Sequence, residues 1–109
     1  MWKECKAMEQ DIIALRRALH QIPELSLDLP ETLSFISAQL DAWGIPHHLS
    51  PGKAGIIGEF DGGREGKTIL LRADVDGLPI QEETGLPFSS RHEGRMHACG
   101  HDAHGAMLL

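Results

Sequence analysis

The sequence predicts an α/β fold, and three observations predict it. Two segments with apolar residues at helical spacing come first, short β-prone runs separated by glycine-rich turns follow, and a last segment of helical composition closes the chain. Helices, then strands, then a helix is the order of a mixed sheet covered by helices. With 109 residues, 41% of them apolar, the chain has one domain's length and material for a modest core.

The first helix is expected from Met8 onward, where Met8, Ile12, Leu15 and Leu19 form a stripe with Glu9, Arg16 and Arg17 off it, and it should close before Pro23. His20 falls at its end, where a capping or packing role suits an imidazole better than catalysis does. Pro30-Glu31-Thr32 opens a second helix, with proline in the first turn and an acid near the positive end of the dipole. Leu33, Ile36, Leu40 and Trp43 mark its expected buried face; Gly44 ends it and Pro46 prevents resumption.

The period then changes. Ile45–Leu49 and Gly55–Phe60 read as short strands, and Asp61-Gly62-Gly63 as the turn of a hairpin whose return arm is Thr68–Ala73. That arm is almost continuously apolar and is expected to be a central strand covered on both faces. It empties into Asp74-Val75-Asp76-Gly77-Leu78-Pro79, and sites of open α/β sheets lie beyond such strand ends. Asp74 and Asp76, at i and i+2, would share a side and act on one target; turn chemistry before Gly77 explains them as well. Residues 80–95 read as a long connection, and loops of that length inside compact domains are often functional.

A net charge of −6 without a basic run argues against nucleic acid and anionic membranes as partners. No stretch has the roughly eighteen apolar residues of a membrane span, and no apolar signal core follows Met1, so the expected address is the cytoplasm. Cys5 and Cys99 are accordingly expected to stay reduced, Cys5 as an incidental thiol. There is no phosphate-binding glycine loop.

Met96-His97-Ala98-Cys99-Gly100-His101-Asp102-Ala103-His104 packs one thiol, three imidazoles and carboxylate into nine residues. A borderline-soft ion such as Zn²⁺ accepts thiolate and imidazole together, and Gly100 permits a tight turn between Cys99 and His101. His101 and His104, three apart, would share a face of a buried helix that begins there and runs through Ala106, Met107, Leu108 and Leu109. Two ligands define no particular site, and a small buried thiol beside a solvated histidine loop accounts for the same residues.

Three blocks together, Leu15–Ser26, Leu71–Ile80 and Met96–His104, resemble successive blocks of the M20 metallopeptidase family, nearest to the amidohydrolases of N-acyl amino acids such as hippurate and auxin-conjugate hydrolases. The resemblance runs from about residue 12 to the end. It implies a hydrolase with two divalent ions, Zn²⁺ or Mn²⁺, in which Cys99 and His101 are metal ligands, Cys99 bridging, and Asp76 supports a ligand from behind. Many relatives carry His-x-Asp where this chain has Asp74-Val75-Asp76, and His101 would take the place of the missing histidine. The family's proton-shuttling glutamate and later histidine ligands match nothing in these residues. Residues 1–109 are therefore expected to be the N-terminal portion of the catalytic domain of a zinc-peptidase-like fold, inactive alone, whose parent has a dimerising second domain and acts on a small N-acyl amino acid. A competing expectation is a self-contained metal-binding module using Cys99, His101 and His104, with His97, His47 or His48 as further candidates. It ranks lower because no second cluster closes a tetrahedron.

Overall fold

The computed structural model describes residues 1–109 as four helices and a two-stranded sheet in the order α1 (Trp2–Ala7), α2 (Glu9–His20), α3 (Pro30–Ala42), β1 (His47–Leu49), β2 (Ile56–Gly58) and α4 (His101–Leu108). The α/β class stands. Helix α2 matches the stripe found in the sequence, whereas α1, which buries none of its residues, had no apolar periodicity to announce it. Leu19, Ile36, Leu40 and Ala106 form the core, with Ile12, Leu15, Ile45, Ile56 and Val75 packed around them.

Helix α3 shows how a buried helix start is satisfied at a distance. Pro30 occupies the first turn, and Leu29 at the N-cap supplies no side-chain acceptor. Glu24 does so instead: the Glu31 N–H donates to its Oε1 at 3.1 Å and the Thr32 N–H to its Oε2 at 2.7 Å. A buried carboxylate thus meets two unpaired amides and the positive end of the helix dipole. At the other end Gly44 adopts φ +67°, the left-handed conformation that terminates helices. Trp43 departs from the expected buried face. It lies at the C-cap, past the last full turn, and is 47% exposed.

The strands also depart from expectation. β1 pairs antiparallel with β2, His47 opposite Gly58 and Leu49 opposite Ile56, across a turn with positive φ at Gly52 and Lys53. The expected return arm, residues 68–73, has no strand partner, and Ile69, Leu70 and Leu71 are 80%, 86% and 71% exposed. An apolar, β-prone run becomes a strand only where a neighbour offers free backbone groups. Here neither free edge of the β1–β2 pair lies alongside it, and the run lines an open apolar groove of about 940 Å³ with Phe60 and the end of α4. Met107 and Leu108, expected to be buried, are exposed on that helix, while Ala106 is buried. No helix is long and apolar enough to cross a membrane.

Candidate functional site

The three motif blocks, far apart in sequence, meet at Gly77. Its N–H donates to the Glu24 carbonyl at 2.7 Å, and Leu78 and Met96 exchange backbone hydrogen bonds of 2.8 and 3.0 Å. The approach is close enough to require glycine, since a Cβ on residue 77 would stand 2.8 Å from Pro23 Cβ and 3.2 Å from the Met96 carbonyl oxygen. Asp76 and Met96 are thereby held at fixed places, one residue before the start of the Gly77 contact and three before Cys99.

From that anchor Asp76 reaches α4. The His101 Nδ1–H donates to Asp76 Oδ1 at 2.8 Å and also faces the Asp76 carbonyl oxygen at 3.1 Å. A carboxylate only accepts, so the contact places the hydrogen on Nδ1 and leaves Nε2 as the nitrogen with a free lone pair. Asp74 does not join it: its carboxylate pairs with Arg72, so the two acids serve different targets despite their i, i+2 spacing. The expectation of a shared target fails because the backbone here is not a regular strand.

Cys99 is a free, exposed thiol, as is Cys5, and the two are not joined. The His104 ring leans back over Gly100, its Nε2 3.4 Å from where a Cβ would stand, and its centroid is 5.6 Å from that of His101. Thiol, Gly100 and two imidazoles thus gather at the start of α4. No three His, Cys, Asp or Glu side chains are grouped so as to hold a metal ion among themselves. This disfavours the self-contained module. His47 is excluded from it directly: Nε2 bonds the Ser37 hydroxyl at 2.7 Å and Nδ1 the Ile45 carbonyl at 2.9 Å, fastening β1 to α3.

Behind the site lies a buried polar network that sequence reasoning missed. Asp102, 1% exposed, receives Arg16 Nε at 2.8 Å and His20 Nδ1 at 2.7 Å on the same oxygen, Oδ2, while Oδ1 accepts the Ala103 N–H at 2.8 Å. The other nitrogen of His20 meets Glu82 Oε1 at 3.1 Å. His20 therefore does more than cap its helix. Burial works to raise the Glu82 carboxyl, but hydrogen bonds from the Thr84 hydroxyl and the Ser90 amide, with the bond and charge of His20, outweigh it and hold the group below its ordinary value. Phe88 covers this network, its centroid 5.7 Å from that of His20 and 4.7 Å from the Arg17 guanidinium carbon. The 80–95 connection is thus irregular but fastened.

His97 is a second surprise. It is 3% exposed, its ring 6.2 Å from that of His20, and neither nitrogen has a hydrogen-bond partner. Burial lowers its pKa below 6.5, and the nearby charges of His20 and His101 act the same way, against the opposing pull of Asp102 and Asp76.

A thiol and a carboxylate-braced imidazole at a helix entrance, beside an open groove, have the donor chemistry of a metal-dependent enzyme. Residues 70–109 match the family model described as peptidase family M20/M25/M40. The N-acetyl-L-cysteine deacetylase of Bacillus subtilis strain 168 is 50% identical over 102 residues, covering 94% of this chain and 24% of that protein. An N-acetyldiaminopimelate deacetylase of Ligilactobacillus salivarius is 45% identical over 104 residues, covering 93% and 27%. In structure, the Bacillus subtilis YxeP protein, described as a dinuclear metal binding peptidase from the M20 family, superposes with a TM-score of 0.84 at 45% identity, covering 93% of this chain and 29% of that one. The chain is thus similar to the M20 peptidase family over residues 70–109 and to these proteins over nearly its whole length. It spans about a quarter of the length of the curated relatives it matches.

Proposed function

We propose that these residues supply the N-terminal portion of the catalytic domain of a metal-dependent amidohydrolase that cleaves the amide bond of N-acyl amino acids. The observation that carries this is the 2.8 Å bond from His101 Nδ1 to Asp76, in a chain whose relatives include deacetylases of N-acetylated amino acids. Cys99 and His101 would hold divalent metal, Zn²⁺ or Mn²⁺, two ions to a complete site. The donor set fits: a thiol open to solvent and an imidazole whose Nε2 is left to coordinate. When bound, such ions supply Lewis acidity toward an amide carbonyl and toward a water.

The chain's own residues contribute orientation and protonation state. Asp76 fixes the His101 tautomer and raises the basicity of the ring as a ligand, and the Gly77 contact fixes Asp76. Proton transfer to the departing amine needs a base of suitable reach. The two acids beside the proposed ligands are both engaged, Asp76 by His101 and Asp102 by Arg16 and His20, so residues 1–109 alone are expected to be inactive. The two free thiols suit a reducing compartment, and we assign the cytoplasm as its address.

Equilibrium dialysis of the 109-residue chain against Zn²⁺ tests the ligand assignment. Weak, substoichiometric retention is expected, lost in Cys99→Ser and in His101→Ala and weakened about 10–100-fold in Asp76→Asn. Retention unchanged in both ligand variants would overturn it, and one tightly held ion per chain would revive the module. Metal-dependent hydrolysis of an N-acetyl amino acid by this chain, abolished by Cys99→Ser, would show that a complete site exists within it.

A further inference from the structure

We infer that His20 is a positioning residue: by clamping Asp102, it sets the rotation of α4 about its axis and therefore the direction in which His101 points. The inference deepens the proposed function and rests on His101 being a metal ligand.

The argument begins from helix geometry. Residues 101 and 102 are successive in α4, about 100° apart around the axis, so whatever fixes the azimuth of Asp102 fixes that of His101. An imidazole lies roughly 6 Å from the helix axis, so a rotation of about 10° displaces it by about 1 Å, while a ligand constellation must be held within about 0.5 Å. The Asp76 contact alone cannot supply this, because both groups are about one-third exposed. Asp102 is held far more firmly: it is 1% exposed, and both Arg16 and His20 donate to it.

Of those two donors His20 is the better constrained. Arg16 is 35% exposed on a flexible stem, whereas the His20 side chain is 3% exposed and fixed at both nitrogens, Nδ1 by Asp102 and Nε2 by Glu82. With a carboxylate oxygen 2.7 Å from one nitrogen and 3.1 Å from the other, the ring forms a rigid bar from the 80–95 connection to the first turn of α4. Phe88 closes the third side. Gly105, one turn further on, prevents a compensating slide: a Cβ there would stand 2.8 Å from Val75 Cγ1 and 3.2 Å from Leu19 Cδ1.

The test follows the His101 Nδ1–H by NMR in the full 109-residue chain without metal, so its outcome is independent of the zinc experiment above. In His20→Gln, which can reach one carboxylate but not both, solvent exchange of that proton is expected to accelerate at least about tenfold, the factor that follows from losing one hydrogen bond to a charged group. Ser37→Ala, which removes the bond between α3 and β1 and none in the network, serves as the comparison for a loss of thermal stability alone and is expected to leave the exchange slow. If His20→Gln accelerates exchange no more than Ser37→Ala does, the role is structural and the inference falls. Should His20→Gln fail to fold, Glu82→Ala, which frees His20 Nε2 while Arg16 still donates to Asp102, decides: acceleration beyond that of Ser37→Ala supports the clamp, and exchange no faster than in Ser37→Ala overturns it.

Discussion

Replacing Gly77 by alanine isolates the contact on which the three motif blocks converge. The added Cβ would stand 2.8 Å from Pro23 Cβ and 3.2 Å from the Met96 carbonyl oxygen, whereas carbon atoms in contact prefer about 3.5–4.0 Å. Neither neighbour is a flexible side-chain end: Pro23 is a fully buried ring, and the Met96 oxygen accepts the Leu78 N–H. Overpacking of this kind costs about 1–3 kcal/mol, against which the stiffer unfolded chain returns about 0.4–1 kcal/mol. A net loss of about 1–2 kcal/mol corresponds to a Tm lower by roughly 4–16 °C in a domain near this size. Gly62→Ala is the matched comparison, since nothing lies within 4 Å of its added Cβ and its backbone is not left-handed; it should leave Tm unchanged or slightly raised. Thermal melts followed by circular dichroism measure both. A Gly77→Ala melt within about 2 °C of Gly62→Ala would refute the reasoning.

Glu24→Gln keeps one acceptor for two amides and turns an N–H₂ toward the other, so a loss of about 1–3 kcal/mol is expected in urea unfolding; an unchanged midpoint would show that the amides find other partners. Acid should destabilise the fold in two stages. His97 and Glu82 both have folded pKa values below their ordinary ones, so each contributes stability that is complete above the ordinary value and lost as pH falls: His97 below about 6.5, Glu82 below about 4.5. Urea midpoints measured between pH 8 and 4 should therefore decline first near 6.5, and His97→Phe should remove that first decline. The exposed Ile69-Leu70-Leu71 run should drive association, so Leu70→Lys is expected to shift the chain toward monomer on a sizing column; no shift would place the association elsewhere.

What could be read from the sequence depended on how local its cause was. Helix α3 was legible because Pro30 and Gly44 act within a turn of themselves, and Trp43 was misassigned only because the periodicity was carried past the last turn. The run at 68–73 carries strand propensity, but pairing is decided by neighbours, and no strand lies alongside it. The approach of Asp76 to His101 was anticipated through family resemblance, not spacing, since 25 residues separate them. Nothing local in His20 announces Asp102, and nothing in His97 announces burial.

The span of the His20–Asp102 contact also bears on the order in which the chain folds. The Glu24 cap on α3 closes a loop of 8 residues, while His20 and Asp102 close one of 82. Each doubling of loop length costs about 0.6 kcal/mol of closure entropy, so the longer closure is dearer by about 2 kcal/mol before any contact rewards it. Helices α2 and α3 can therefore settle against one another early, and the docking of α4 comes late. The first turn of that helix, which carries the proposed ligand His101, is among the last parts of the chain to become ordered.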